Sequence, residues 1–453
     1  MIITKAGEVN KVDGVVNREY KKKMLIFSIP LVLSLFTQQF YNIVDMMVVG
    51  QFLGVNELSA VGNASSIVMV FIVLSGGLEI ACDIIVSRCI GKKEYNNLSK
   101  LCMNMLILGV IGALMLSSIG ILSLNGIIHI MNIPLKIMQD VKMYCYIYMA
   151  GALFIYCYDI SRAFITTLGY SHMSFYLVVT SSIINIILDI LFVCVFHMDV
   201  GGVALATILA QMICMCISIK LCFVKIKEYS SKQLQLTIDF SILLEVLKVA
   251  IPSAFQQSVI TLTYTCLQSW VNPYGVEIMS GYVAITKIIN ITQVPLIALS
   301  QTSSIYFSRL FVNTEMNKIK SIYKFLLKVS LVYILVIGIV FMFFNKGICY
   351  LFFDVDKYNY GYQFFRLYIC LYSIVMIFNS MKYLNESMLR SFLHMKLFLL
   401  SSFIDVVVRL VCVYCLNLVI GLPAFVIGEG IARLCSVLFS IRQLKRIMKV
   451  PSL

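Results

Sequence analysis

Twelve apolar runs, each long enough to cross a lipid bilayer, leave this chain one class of fold. They lie at about 24–49, 58–80, 101–124, 140–162, 172–196, 201–223, 242–270, 278–305, 325–345, 363–389, 395–417 and 421–441. A bilayer-spanning helix needs roughly 20 predominantly apolar residues. Composition agrees: 60% of the 453 residues are hydrophobic and only 13% charged, against about 25% charged in a soluble domain. The expectation is an all-α integral membrane protein with twelve transmembrane helices.

The net charge of +14 would suit nucleic acid if it were spread over a surface, but it alternates with the spans. Lys5, Lys11, Arg18 and Lys21 to Lys23 precede the first run, and Arg88, Lys92, Lys93 and Lys100 follow the second. Five more cations fall between Lys220 and Lys248, five between Arg309 and Lys328, and Arg442, Lys445, Arg446 and Lys449 close the chain. The other side holds little beyond Lys136, Lys142, Lys346, Lys357 and Arg366. This is the positive-inside pattern. It predicts a multi-pass protein of the cytoplasmic membrane with both tails, 1–23 and 442–453, in the cytoplasm. Its cations then contact anionic lipid, and no nucleic acid is expected.

Lys21–Lys23 leads into an apolar run of about 25 residues, too long for the core of a signal peptide. The fifteen cysteines are scattered through the spans, the four histidines are dispersed, and no phosphate-binding glycine loop is present. The pattern predicts no enzyme, no cofactor and no firm metal site. Energy for any transport must then come from an ion gradient or an outside partner.

The second half repeats the first at an offset near 221. Ile29-Pro30 falls near Ile251-Pro252, Gly54 on Gly275, Ser59 on Ser280, Ser87-Arg88 on Ser308-Arg309, His172-Met173 on His394-Met395 and Gly201 on Gly421. Two pseudo-symmetric six-helix lobes are expected, 24–223 and 241–441, joined by a basic cytoplasmic linker at 224–240. An even number of spans makes them parallel repeats about an axis along the membrane normal. Two such lobes can rock about a central site and give alternating access.

Charged side chains within the apolar runs point to function, because an ion in hydrocarbon persists only with a partner, a watery cavity or a task. Asp45 ends the first run, fifteen residues after Pro30. Pro30 either kinks that helix or sits near its start. Asn185 and Asp189 are four apart and share a helix face. The Gly201-Gly202 turn brings the next run back, which can place Thr207 beside them. An acid, an amide and a hydroxyl offer oxygen ligands to Na⁺, or a carboxyl to a proton; the alternative is four independently satisfied polar residues. If Asp45 approaches Asp189, the two anions repel unless a proton or cation joins them. Asp159, one turn before Arg162, either forms an internal salt bridge or faces an N-lobe cavity. Lys287 either bridges to another helix or lines a C-lobe cavity. Asp405/Arg409 and Glu429/Arg433 are spaced as ion pairs along one helix face. Where Asp45 stands in the first half, the second half has Cys266 or Leu267.

In order, these motifs resemble the MATE (multidrug and toxic compound extrusion) transporters over nearly the whole chain. Pro30 followed by Tyr41-Asn42-Ile43-Val44-Asp45 is similar to the family's first-span signature. Val61-Gly62, Ser87-Arg88 with Gly91, Asn185 to Asp189, Gly201-Gly202 through Thr207, Arg409 and Gly421-Leu422 also match. The N-lobe acids make the chain most similar to the bacterial DinF/MepA-like branch. The branch with an acid in span seven is less similar, since Gln256 and Gln257 stand there. The chain departs from the pattern at Tyr158-Asp159, where related sequences have Tyr-Asn.

The resemblance implies a secondary antiporter that exports small-molecule substrates, organic and often cationic and amphipathic, in exchange for H⁺ or Na⁺. It implies a coupling site at Asp45, Asn185, Asp189 and Thr207 and bending of the first span at Pro30. A monomer is expected. The alternative is a lipid-linked saccharide flippase of the same superfamily, for which Lys287 and Arg409 would supply cavity cations.

Overall fold

In lipid, backbone amides find no water and must bond within their own segment, so apolar runs of this length fold as helices. The computed structural model describes residues 2–131, 133–229, 237–350 and 359–448. The middle of the expected linker with Lys232, the external Lys357, the tail from Lys449 on, and the side chains of Lys5, Lys11 and Arg18 lie outside this description. Among the described residues there are twelve long helices and no strand. They are α1 (Ile2–Val48), α2 (Val55–Gly91), α3 (Leu98–Ile130), α4 (Met138–Leu168), α5 (Ser171–Ile190), α6 (Val200–Tyr229), α7 (Phe240–Val271), α8 (Val276–Val312), α9 (Met316–Tyr350), α10 (Asn359–Ser391), α11 (Met395–Ile420) and α12 (Pro423–Ile447). Each contains a stretch apolar and long enough to span a bilayer. The expected helical membrane class is therefore found. Several helices outrun their apolar runs: α2 has 37 residues, about 55 Å at 1.5 Å per residue.

Two compact units share the chain, and it passes between them inside helices rather than in loops. The N-lobe comprises Ile29–Phe255; the C-lobe comprises the residues up to Ser28 together with Gln256 onward. The crossings fall just before Pro30 in α1 and just after Pro252 in α7, both inside their helices. Pro30 thus lies deep within α1 rather than at its start. The early part of α1 belongs with the C-lobe, where Met24 is fully buried and Tyr20 meets the Tyr306 ring edge-on at 5.3 Å.

Within the N-lobe, α4 is the central helix, packed against α2, α3, α5 and α6; within the C-lobe, α10 holds the same place against α8, α9, α11 and α12. The repeat extends to backbone detail. Gly54 and Gly275 precede α2 and α8 with φ of 121° and 93°, a region closed to side chains with a Cβ except at a steric cost. Lys93 and Thr314, also one repeat apart, take positive φ after those helices.

Candidate functional site

The N-lobe brings together all four residues of the expected cluster. Asp189 is fully buried, Asn185 and Thr207 nearly so, and Asp45 is 9% exposed. Asn185 Nδ2 donates to Thr207 Oγ1 at 3.2 Å, and Thr207 in turn donates to the Val203 carbonyl. The Asp45 and Asp189 carboxyls lie within hydrogen-bonding reach of each other. Asp45 Oδ1, Asn185 Oδ1 and both Asp189 carboxyl oxygens are buried without a hydrogen-bond donor. No cation pairs with either acid among the described residues. Two ionised carboxylates have no proton to share, so this contact requires a proton or a cation between them.

The backbone is unusual where the acids sit. The helix carrying Asp45 passes into a π-helical turn at Val49–Leu53, and the helix carrying Asp189 into another at Leu191–Val195. Gly54 N–H bonds to Val49 O at 3.1 Å and Phe196 N–H to Leu191 O at 3.0 Å, five residues back in each case. These two π-turns touch each other. Such turns insert an extra residue into a helix and often mark functional positions.

Aromatic residues complete the surround: Tyr41 of the first-span motif, and Tyr144 and Tyr148, which the sequence analysis did not single out. Tyr148 on α4 lies close to Thr207 and stacks on Tyr144 with ring centroids 4.8 Å apart. The Tyr41 hydroxyl lies within Coulombic reach of Asp45, Asp159 and Asp189. The four-residue spacing of Tyr144 and Tyr148 was the available signal, but in a chain with 25 tyrosines it does not stand out.

Asp159 is not a simple partner of Arg162. Ser75 Oγ on α2 donates to Asp159 Oδ2 at 2.5 Å, and Arg162 Nη2 stands 3.8 Å from Asp159 Oδ1 but 2.7 Å from Glu79 Oε1. Glu79, which the sequence analysis passed over, is the closer counter-ion. Lys287 forms no bridge: its side chain is exposed on α8, and no carboxylate pairs with it among the described residues. Pro30 leaves α1 helical, and its carbonyl accepts from Ser34 Oγ at 2.8 Å.

The C-lobe has the opposite electrostatics. The two expected ion pairs are present, Arg409–Asp405 at 2.9 Å and Arg433–Glu429 at 3.3 Å. They merge through Arg433–Asp405 at 2.6 Å and Arg409–Glu429 at 3.6 Å. Lys382 joins at 2.7 Å from Asp405 and 3.5 Å from Glu386. Gln256 on α7 ties in by donating to Glu386 and Ser402, each at 3.0 Å. Three cations thus balance three anions in a buried cluster. The N-lobe pair Asp45/Asp189 has no such internal compensation. Among the described residues no group of three or more His, Cys, Asp or Glu is placed to hold a metal.

A sequence model described as MatE matches residues 30–191 and 252–415. Among curated proteins, the chain is 25% identical over 281 residues to a probable multidrug resistance protein of Bacillus subtilis, YpnP, covering 61% of this chain and 62% of that protein. It is 25% identical over 272 residues to the multidrug export protein MepA of Staphylococcus saprophyticus, covering 58% of each. The matched part is thus less than two thirds of those relatives' length. Two solved structures share the fold. An outward-facing multidrug resistance MATE family transporter of the MOP superfamily superposes with a TM-score of 0.88 at 19% identity, over 95% of this chain and 96% of the other. A MATE structure in a bent conformation gives 0.86 at 19% identity, over 95% of each chain.

Proposed function

Because the chain belongs to the MatE family, whose members are transporters and not enzymes, we propose that it is a secondary antiporter exporting organic, cationic and amphipathic compounds in exchange for H⁺ or Na⁺. One observation carries the coupling assignment. The Asp45–Asp189 contact and its four donor-less oxygens lack a resident cation, so the cluster needs a mobile one. A proton or cation bound there offsets one of the two negative charges and turns the Asp45–Asp189 repulsion into a bridge. A coupling ion moves a transporter only if it binds one lobe conformation more tightly than the other. The two π-turns beside the acids provide backbone whose geometry can differ between such states. Pro30, at the crossing between compact units in α1, is the proposed hinge.

The positive-inside pattern supports a plasma-membrane location with both termini cytoplasmic, and the protein is proposed to act as a monomer. The flippase alternative drew on Lys287 and Arg409. Arg409 is committed to Asp405 and Glu429, which leaves Lys287 as its sole support.

The reading is tested with the full chain in liposomes. Efflux of ethidium should follow an imposed H⁺ or Na⁺ gradient and collapse in Asp189→Asn. Efflux that ignores both gradients, or survives that substitution, overturns it.

A further inference from the structure

A second polar feature of the N-lobe lies outside the Asp45/Asp189 cluster. Ser75, Glu79, Asp83 and Ser87 are four apart on α2 and therefore stack along one face of the helix, a rise of about 18 Å from first to last. The stripe meets α4 rung by rung. Ser75 Oγ donates to Asp159 Oδ2 at 2.5 Å, Arg162 Nη2 and Glu79 Oε1 pair at 2.7 Å, and Thr167 Oγ1 donates to Asp83 Oδ1 at 2.8 Å. Ser87 is fully buried with its hydroxyl unpartnered.

Both ends of this seam lead somewhere. At one end, the Tyr41 hydroxyl lies near enough to Asp45, Asp159 and Asp189 to interact electrostatically with each of them. Nearby, Tyr158 is 3% exposed, its buried hydroxyl has no hydrogen-bond partner, and it is within Coulombic reach of Asp159, Arg162 and Tyr41. At the other end, Arg88, next to Ser87, lines a cleft of about 230 Å³ with Asp239 and Glu245.

We propose that the α2–α4 seam is a proton path between the Asp45/Asp189 cluster and the basic end of α2, so that the coupling ion is H⁺. This rests on the antiport reading above. A proton leaving the acid pair passes to Asp159, then Glu79, then Asp83. Each carboxyl returns to carboxylate as it gives up its proton, and one H⁺ is delivered per passage. The hydroxyls of Ser75 and Thr167, with water, close the gaps between rungs. Chains of acids serve as proton relays inside membranes. A Na⁺ ion would have to pass the fixed positive charge of Arg162 after shedding its hydration shell. A proton exchanges between oxygens and is never a free cation beside it.

The test uses the full chain in Na⁺-free liposomes enclosing a pH-sensitive dye, with ethidium as the exported cation. Wild-type protein should move H⁺ against ethidium. Glu79→Gln and Asp83→Asn should lower turnover about tenfold or more with KM unchanged. Ethidium affinity in detergent should be unchanged; Asp83→Asn, whose amide oxygen can still accept from Thr167, should also keep the melting temperature, whereas Glu79→Gln gives up its Arg162 pair and is read on turnover alone. Asp83→Glu should keep most of the turnover. Wild-type turnover in both amide variants overturns the path. So does a parallel fall in turnover and melting temperature that Asp83→Glu shares, which marks a packing contact. Wild-type exchange of Na⁺ in place of H⁺ overturns the path and leaves the antiport reading standing; exchange of neither ion overturns both.

Discussion

Asn185 donates to Thr207 across the α5–α6 turn at 3.2 Å, yet its own side-chain oxygen has no donor. The amide is thereby held by one end with its acceptor presented beside Asp189. Replacing Thr207 by Ala leaves the buried amide N–H unpaired, a loss of about 1–3 kcal/mol, while Thr207→Ser keeps the bond. The predicted outcome is an increase of about tenfold in the ion concentration that half-saturates exchange for Thr207→Ala, and near wild-type behaviour for Thr207→Ser. Equal half-saturation in all three proteins would sink the positioning role.

The C-lobe cluster predicts a stability effect without a coupling effect. Lys382→Met removes a cation that touches Asp405 and Glu386 and leaves buried negative charge behind. Breaking such a pair costs about 3–5 kcal/mol. Thermal unfolding in detergent should register that loss, and Lys382→Met with Asp405→Asn should recover part of it. A melting temperature unchanged in the single variant contradicts this account.

Gly77 predicts a packing defect. A Cβ there would stand 2.5 Å from the Ala250 carbonyl oxygen and 2.9 Å from Ala254 Cβ, both on the first part of α7, and a carbonyl cannot swing aside. Gly77→Ala should force α2 and α7 apart and lower stability by about 1–3 kcal/mol. At Gly151 the contacts are with the Ile208 side chain, which can move, so Gly151→Ala should be milder. The opposite ranking in a thermal-shift series would refute the comparison.

Asp239, just before α7, gives a pH dependence outside the membrane-spanning segments. Lys100 Nζ lies 2.6 Å from it, and Ser241 donates to it through both N–H and Oγ. The Lys100 hydrogen bond first, then those from Ser241, hold its carboxyl well below the ordinary 3.8. A depressed folded value means the contribution is complete above pH 3.8 and declines as pH falls toward the folded value. The melting-temperature difference between wild type and Asp239→Ala should therefore be flat from neutral pH down to the ordinary carboxylate range and shrink with further acidification. A difference that instead disappears as pH rises would reverse the sign and exclude this contact as its source.

Asp45, Asn185, Asp189 and Thr207 were legible because polar atoms in apolar runs are rare and their spacing is that of helix faces. Glu79 and Asp83 were not. The second apolar run was bounded at about residue 80, which put these acids at or beyond a membrane edge where charge needs no explanation. α2 continues to Gly91, so both lie inside a helix packed on α4. The four-residue rhythm from Ser75 to Ser87 was present in the sequence but crossed that boundary. Lys382 and Glu386 were missed for another reason: one helical turn apart within the tenth apolar run, their charges cancel locally, and only tertiary packing makes Lys382 a partner of Asp405. The π-turns had no sequence signature, since an inserted residue in an apolar helix leaves the hydrophobic pattern nearly intact.

The C-lobe cluster bears on how this chain enters a bilayer at all. Each of its helices carries its own opposite charge one turn away: Lys382 with Glu386 on α10, Asp405 with Arg409 on α11, Glu429 with Arg433 on α12. The charges in the middle of each of these helices can therefore enter lipid already paired with one another, where a lone ion would be costly. Once the helices meet, Lys382 and Arg433 both turn to Asp405, and private pairs become a shared lattice. A substitution that leaves one of these helices with an unpaired central charge should therefore be felt in membrane insertion as well as in the folded cluster.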